Sequence, residues 1–140
     1  ECPADLAADA ANDLILAAYP QHDAVGWFAA KDGKPAGTAT GFAQLAGVAV
    51  GKGGAAFAIS GGAVVRFTRA NPEPTVVVPA DRLRNPWRLA VDAASGDLLV
   101  AENSLQFKHA DPHHQVKRFD AAGKLLNAYG KPEGRTDGVY

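Results

Sequence analysis

Residues 86–130 read PWRLAVDAASGDLLVAENSLQFKHADPHHQVKRFDAAGKLLNAYG, and this run has the pattern of four short β-strands. RLAVD leads through the turn AASG into DLLVAEN. After an excursion, QVKRFD leads through AAG into KLLNAYG. Apolar and polar residues alternate between Gly, Asp, Asn and Pro punctuation, as half-buried antiparallel strands require.

The same plan occurs twice upstream. PADLAADAANDLILAAY, beginning at Pro3, aligns with PWRLAVDAASGDLLVAE, beginning at Pro86. Pro3 falls on Pro86, Leu6 on Leu89 and Asp9 on Asp92; with one residue inserted in the turn, Asp13 falls on Asp97 and Leu14 on Leu98. In the middle copy, AGVAVGKGGAAFAIS, Val48 takes the place of Leu6 and Leu89, giving intervals of 42 and 41 residues. A second anchor is a β-run ending in Phe28, Phe67 and Phe119, with intervals of 39 and 52; the longer one contains the excursion SLQFKHADPHH. Four strands in a repeat near 42 residues describe a propeller blade.

An all-β chain of three four-stranded antiparallel blades is therefore expected, in a single segment over residues 1–140. Blade one covers about 3–43, with strands at 4–9, 13–19, 24–30 and 37–42. Blade two covers about 45–80, with strands at 47–51, 55–60, 63–69 and 74–79. Blade three covers about 86–130, and 131–140 form a Gly- and Pro-punctuated tail. The Ala-rich start has helical propensity, but its register match to the third copy assigns it to strands. Trp27 and Trp87 read as blade packing, with Arg88 beside Trp87 placed for a cation–π pair.

The third copy resembles the NHL repeat, whose pattern is roughly P-x-G-I-A-V-D, G-x-x-Y-V-A-D-x-x-N, R-V-x-x-F, G-x-x-x-x-x-F-G. The matching residues are Pro86, Leu89, Ala90, Val91 and Asp92, then Gly96, Leu99, Val100, Ala101, Glu102 and Asn103, then Val116, Phe119, Gly123, Tyr129 and Gly130. Arg88 stands where the family has Gly, Glu102 where it has Asp, and Gly51 where the second blade should have Asp. The resemblance extends over nearly the whole chain as three repeats and implies a six-bladed propeller. Three blades do not close a ring of the ordinary kind, which has about four to eight. The chain is accordingly expected to be half of a larger propeller, or else to close a ring as a head-to-tail dimer; the former is preferred.

Net charge is −1, and the 14 Lys and Arg are scattered, which argues against the basic stripe of a nucleic-acid or anionic-membrane surface. One cysteine, Cys2, excludes an intrachain disulfide and a multi-cysteine metal site. No apolar run reaches the roughly 18 residues of a membrane span. There is no methionine, so Glu1 is not a translation start; a secreted, periplasmic or surface-attached location is expected.

Strand alternation places the turn between second and third strands at the same end as the inter-blade connector. That end collects Tyr19, His22 and Asp23 from blade one and Glu102, Asn103, His109, Asp111, His113 and His114 from blade three, with Arg84, Asn85, Trp87 and Arg88 nearby. Such loops, held by a rigid scaffold, are where propellers place function. Arg88, Glu102, Asn103, His22 and Asp23 are the candidate ligand-binding residues. His109, Asp111, His113 and His114 are the candidate metal ligands, because three imidazoles and a carboxylate within six residues suit Zn²⁺, Ca²⁺ or a similar divalent ion. The same run also reads as a polar surface excursion, since spacing alone does not fix a ligand set.

VGKGGAA lacks the spacing of a phosphate-binding loop, and ISGG lacks GxSxG. Lys117 and Arg118 read as the solvated side of a strand. The expected function is a binding or scaffold module with a protein or small-molecule ligand on its face. A metal-dependent lyase or lactonase, as among NHL-like propellers, is the alternative, and RNA recognition the third reading.

Overall fold

The computed structural model describes residues 2–103 and 114–130. Among the described residues, twelve strands form three four-stranded antiparallel sheets in chain order. Blade one holds β1 (Asp5–Asp9), β2 (Leu14–Tyr19), β3 (Ala24–Ala29) and β4 (Pro35–Ala39). Blade two holds β5 (Val48–Val50), β6 (Ala56–Ser60), β7 (Ala63–Phe67) and β8 (Thr75–Val78). Blade three holds β9 (Pro86–Val91), β10 (Leu98–Glu102), β11 (Val116–Phe119) and β12 (Leu125–Tyr129). The Ala-rich start is strand, as the repeat requires. No α-helix occurs among the described residues, and none of their helices is long and apolar enough to cross a membrane.

The fold is one of stacked blades, because apolar residues line the facing sides of successive sheets. One core joins Leu14, Leu16, Val25 and Trp27 of blade one to Val48, Ala56, Ala58, Val65 and Phe67 of blade two, with Phe42 and Leu45 of the connector between them. A second core joins Ala49, Phe57, Ile59, Val64 and Val78 on the other side of blade two to Leu89, Leu98, Val100 and Phe119 of blade three, with Leu83 of the next connector. Each blade thus has an upstream side, facing the blade before it, and a downstream side. The first strands β1, β5 and β9 run beside one another.

Pairing corrects the repeat alignment. Asp9 pairs with Leu14 across the first turn, and the Asp92 N–H bonds the Asp97 carbonyl beside the Val91–Leu98 pair. Both turns contain four residues, so nothing is inserted: Leu14 corresponds to Asp97, and Ile15 to Leu98. Because strand side chains alternate, the one-residue difference decides which face each leucine occupies. Leu14 packs downstream on blade two, whereas Leu98 packs upstream on it.

Blade three is also tied to the outer edge of blade two. Gly123, buried in the β11–β12 turn at φ 87°, abuts Val77 so closely that a Cβ there would collide with the Val77 carbonyl oxygen. Left-handed backbone adds strain for any other residue. Gly123→Ala is expected to lower stability by about 2–3 kcal/mol, read by urea denaturation. A loss below about 0.5 kcal/mol, within the range of ordinary surface changes, would show that this contact yields without cost.

Candidate binding face

The β2–β3 and β6–β7 turns, the last residues of β10 and the first of β11 share one end of the molecule with the inter-blade connectors, as strand alternation dictates. Here each connector is pinned by side chains at the strand ends and turns. The first connector donates its Leu45 N–H to Asp23 Oδ1 at 3.1 Å and its Ala43 N–H to Ser60 Oγ at 2.9 Å. The second donates its Arg84 N–H to Glu102 Oε1 at 2.7 Å, and Asn85 bonds the carbonyl of Asn103 through its side-chain amide. Ser60 and Glu102 are the last residues of β6 and β10, so one position holds the incoming connector in both blades, by a hydroxyl in one and a carboxylate in the other. Both connectors reach their blade through a left-handed residue, Gln44 (φ 49°) and Asn85 (φ 45°), one step before Leu45 and Pro86.

Among the described residues, Glu102 is the most enclosed charge at this end. Its side chain is fully buried, and Lys117 Nζ lies 2.8 Å from Oε1 while also donating to the Arg82 carbonyl at 3.0 Å. Oε2 accepts no hydrogen bond. Sequence reading places Lys117 on the solvated side of its strand; the structure turns it inward. Lys117 shares a face with Phe119, two residues on, and Phe119 is buried against blade two. Arg118 points the other way, to the downstream side, where it reaches Asp97 and Asp92 at 2.6 and 3.3 Å. The Ala94 and Ser95 N–H groups, helped by Arg118, hold the Asp92 carboxyl below its ordinary range. That cluster braces the β9–β10 turn at the opposite end.

Of the two tryptophans, Trp27 is a core residue, edge-on to Phe67 with centroids 5.6 Å apart. Trp87 is not. It sits where β9 bulges opposite Ala101 and Glu102, is 39% exposed, and carries the Arg88 guanidinium 4.7 Å over its ring. The sequence signal for this exposure is faint: Pro86 and Leu89 are the buried anchors, leaving Trp87 and Arg88 between them.

Among the candidate ligand-binding residues, Asp23 and Glu102 are occupied in holding connectors, Arg88 and His22 are exposed, and Asn103 is half-buried with its N–H bonded to the Asn85 carbonyl. His114 is exposed just before β11. His109, Asp111 and His113 lie outside the described residues. Among the described residues no three His, Cys, Asp or Glu side chains come together as a metal-ligand group.

No family model and no curated protein sequence matches the chain. Solved structures do match it in fold. A chain of a nidogen/laminin complex superposes with a TM-score of 0.69 at 15% identity, over 91% of this chain and 46% of that one. Kuenenia stuttgartiensis hydrazine synthase gives 0.69 at 12% identity, over 94% and 37%. U3-55K gives 0.68 at 11% identity, over 91% and 36%. The chain spans less than half the length of each, and the likeness is one of fold: blades of a β-propeller.

Proposed function

We propose that the chain is a propeller binding module that takes a protein partner on its connector end, with Trp87 as the anchor. The carrying observation is Trp87 itself, a large aromatic ring left 39% exposed beside pinned connectors, with a guanidinium stacked on it. Trp and Arg are the residue types that concentrate binding energy at protein interfaces, because a broad amphipathic surface is buried at low conformational cost. The nearby charges favour a binding role over a catalytic one. Asp23, Glu102 and Lys117 are engaged with backbone groups or with each other, which makes them positioning groups for the face. A structural neighbour taken from a protein–protein complex agrees with protein as the partner class.

The test is saturable capture of a partner by the immobilised chain. Trp87→Ala is expected to weaken that capture by about 2 kcal/mol, roughly thirtyfold. Lys34→Glu, on a turn at the opposite end, leaves it unchanged. Equal affinity for wild type and Trp87→Ala would remove this face from the reading.

A further inference from the structure

We propose that the outer edge of blade two is a second binding surface, on which an extended segment of a partner protein adds as a further strand beside β8 and sets one carboxylate against Arg66. The surface is independent of Trp87 and of the connector end. Blade two has a neighbouring blade on each side, so what it leaves open is not an unfilled join.

β8 is the last strand of its sheet, and its outer backbone pairs with no other strand among the described residues. Native sheets blunt such edges with Pro, with charge or with residues that weaken the strand. β4, in the same place in blade one, contains Pro35 and Gly37. β8 reads TVVV, without Pro, Gly or charge, and Val76 is 58% exposed on it. An unguarded β-branched edge is a template for an added strand. The β11–β12 turn abuts the Val77 carbonyl, which leaves residues 73–76 as the open part of the edge.

A hollow of about 570 Å³ lies along this part, and its lining includes Arg66, Thr68, Asn71, Glu73, Thr75 and Val76. It exists because seven residues separate Phe67 from Thr75, whereas five separate Ala29 from Pro35 and Phe119 from Leu125 in the corresponding turns. The longer turn is held in shape. The Thr68 N–H donates to the Asn71 carbonyl and the Asn71 N–H to Thr68 Oγ1, both at 2.9 Å. Pro72 and Pro74 fix the backbone on either side of Glu73. The Arg69 stem lies on β4, with its Cγ 3.3 Å from where a Cβ at Gly37 would stand. A wall already shaped loses little freedom when it is filled.

Charge and register define the occupant. Arg66 and Thr75 are cross-strand partners and so share a face. Arg66 is exposed and has no ion pair among the described residues. Thr75 is short, so the arginine arm can lie across it towards the residue opposite Thr75 on an added strand, two strand spacings or about 10 Å from β7. An Asp or Glu there meets the guanidinium in a charge-assisted pair. Val76 pairs with Val65 and faces the other side, where the adjoining residue of the occupant is apolar. Glu73, on the turn side of Thr75, repels a second acid. The occupant is thus an extended segment in which a single carboxylate stands among alternating apolar residues, and complementary charge of this sort fixes its register.

Fluorescence anisotropy tests this with a labelled octapeptide of alternating Thr and Val that carries one central Glu, and with its Gln counterpart. The Glu peptide is expected to bind saturably, about tenfold tighter than the Gln peptide, and to slow hydrogen exchange in β8. Arg66→Gln is expected to bring the two peptides to equal affinity, and Val76→Glu to weaken the Glu peptide by about tenfold or more. Both positions are exposed, and both variants are expected to keep the circular-dichroism spectrum of the wild type. No saturable binding, equal affinity of the wild type for the two peptides, or a preference that survives Arg66→Gln would overturn the inference. Trp87→Ala is expected to leave peptide affinity unchanged; a loss there would move the peptide to the connector end and overturn this proposal. Partner capture through Trp87 by a chain that binds neither peptide would preserve the connector-end reading while this one fails.

Discussion

Trp27→Ala is expected to lower the stability of the chain by about 3–5 kcal/mol, a large part of the roughly 5–15 kcal/mol that holds a domain folded. Trp27 is 1% exposed and lies at the join of blades one and two, edge-on to Phe67. Phe67 in turn meets Phe42, the connector residue, edge-on at 5.0 Å. Removing the indole empties the largest fully buried side-chain volume of the molecule, and three structural units border the resulting void. Strands of β3 and β7 cannot shift inward to fill it without breaking their ladders to β2 and β6, so the cavity cost adds to the lost transfer energy. Urea denaturation measures the effect. Trp27→Phe, which keeps an aromatic ring against Phe67, is expected to recover about half. A loss under about 1 kcal/mol for Trp27→Ala would mean that blades one and two are held by something other than this cluster.

What the sequence makes legible here is the repeat, and what it hides is face. Leu6, Val48 and Leu89, or Phe28, Phe67 and Phe119, are recognisable as repeated anchors because each is apolar in every copy, and the strand positions follow from them. The alignment of Leu14 with Leu98 is a plausible match of letters, yet it carries one leucine to the wrong side of its sheet. The pairing of Asp9 with Leu14 settles the register, and pairing is a three-dimensional fact. Lys117 is a different case. Strict alternation from Phe119 already points it inward, but a lone lysine invites a solvated reading because its partner, Glu102, is 15 residues away across the excursion. Trp87 is hidden by its own composition, since tryptophan suggests packing, and only the bulge in β9 brings it to the surface.

Lys117→Val is expected to cost about 3–5 kcal/mol, the range for breaking a buried ion pair from one side. The lysine side chain is 17% exposed and the Glu102 side chain fully buried, so removing the cation strands a carboxylate whose Oε2 already accepts no hydrogen bond. Blade two shows that the charges themselves are dispensable to the join. At the same two positions it has Ser60 and Val65, with the serine hydroxyl holding the connector N–H and Val65 buried. The useful companion is therefore Glu102→Gln, whose amide oxygen still accepts from the Arg84 N–H without carrying charge. The double variant is expected to lose about 2 kcal/mol less than the sum of the two single losses, a coupling read by a double-mutant cycle in urea. Independent, additive effects would mean that Lys117 contributes through its alkyl stem and its bond to the Arg82 carbonyl. The Glu102 carboxylate would then be stabilised by the connector alone, and the pinning of the second connector would be electrostatically separate from β11.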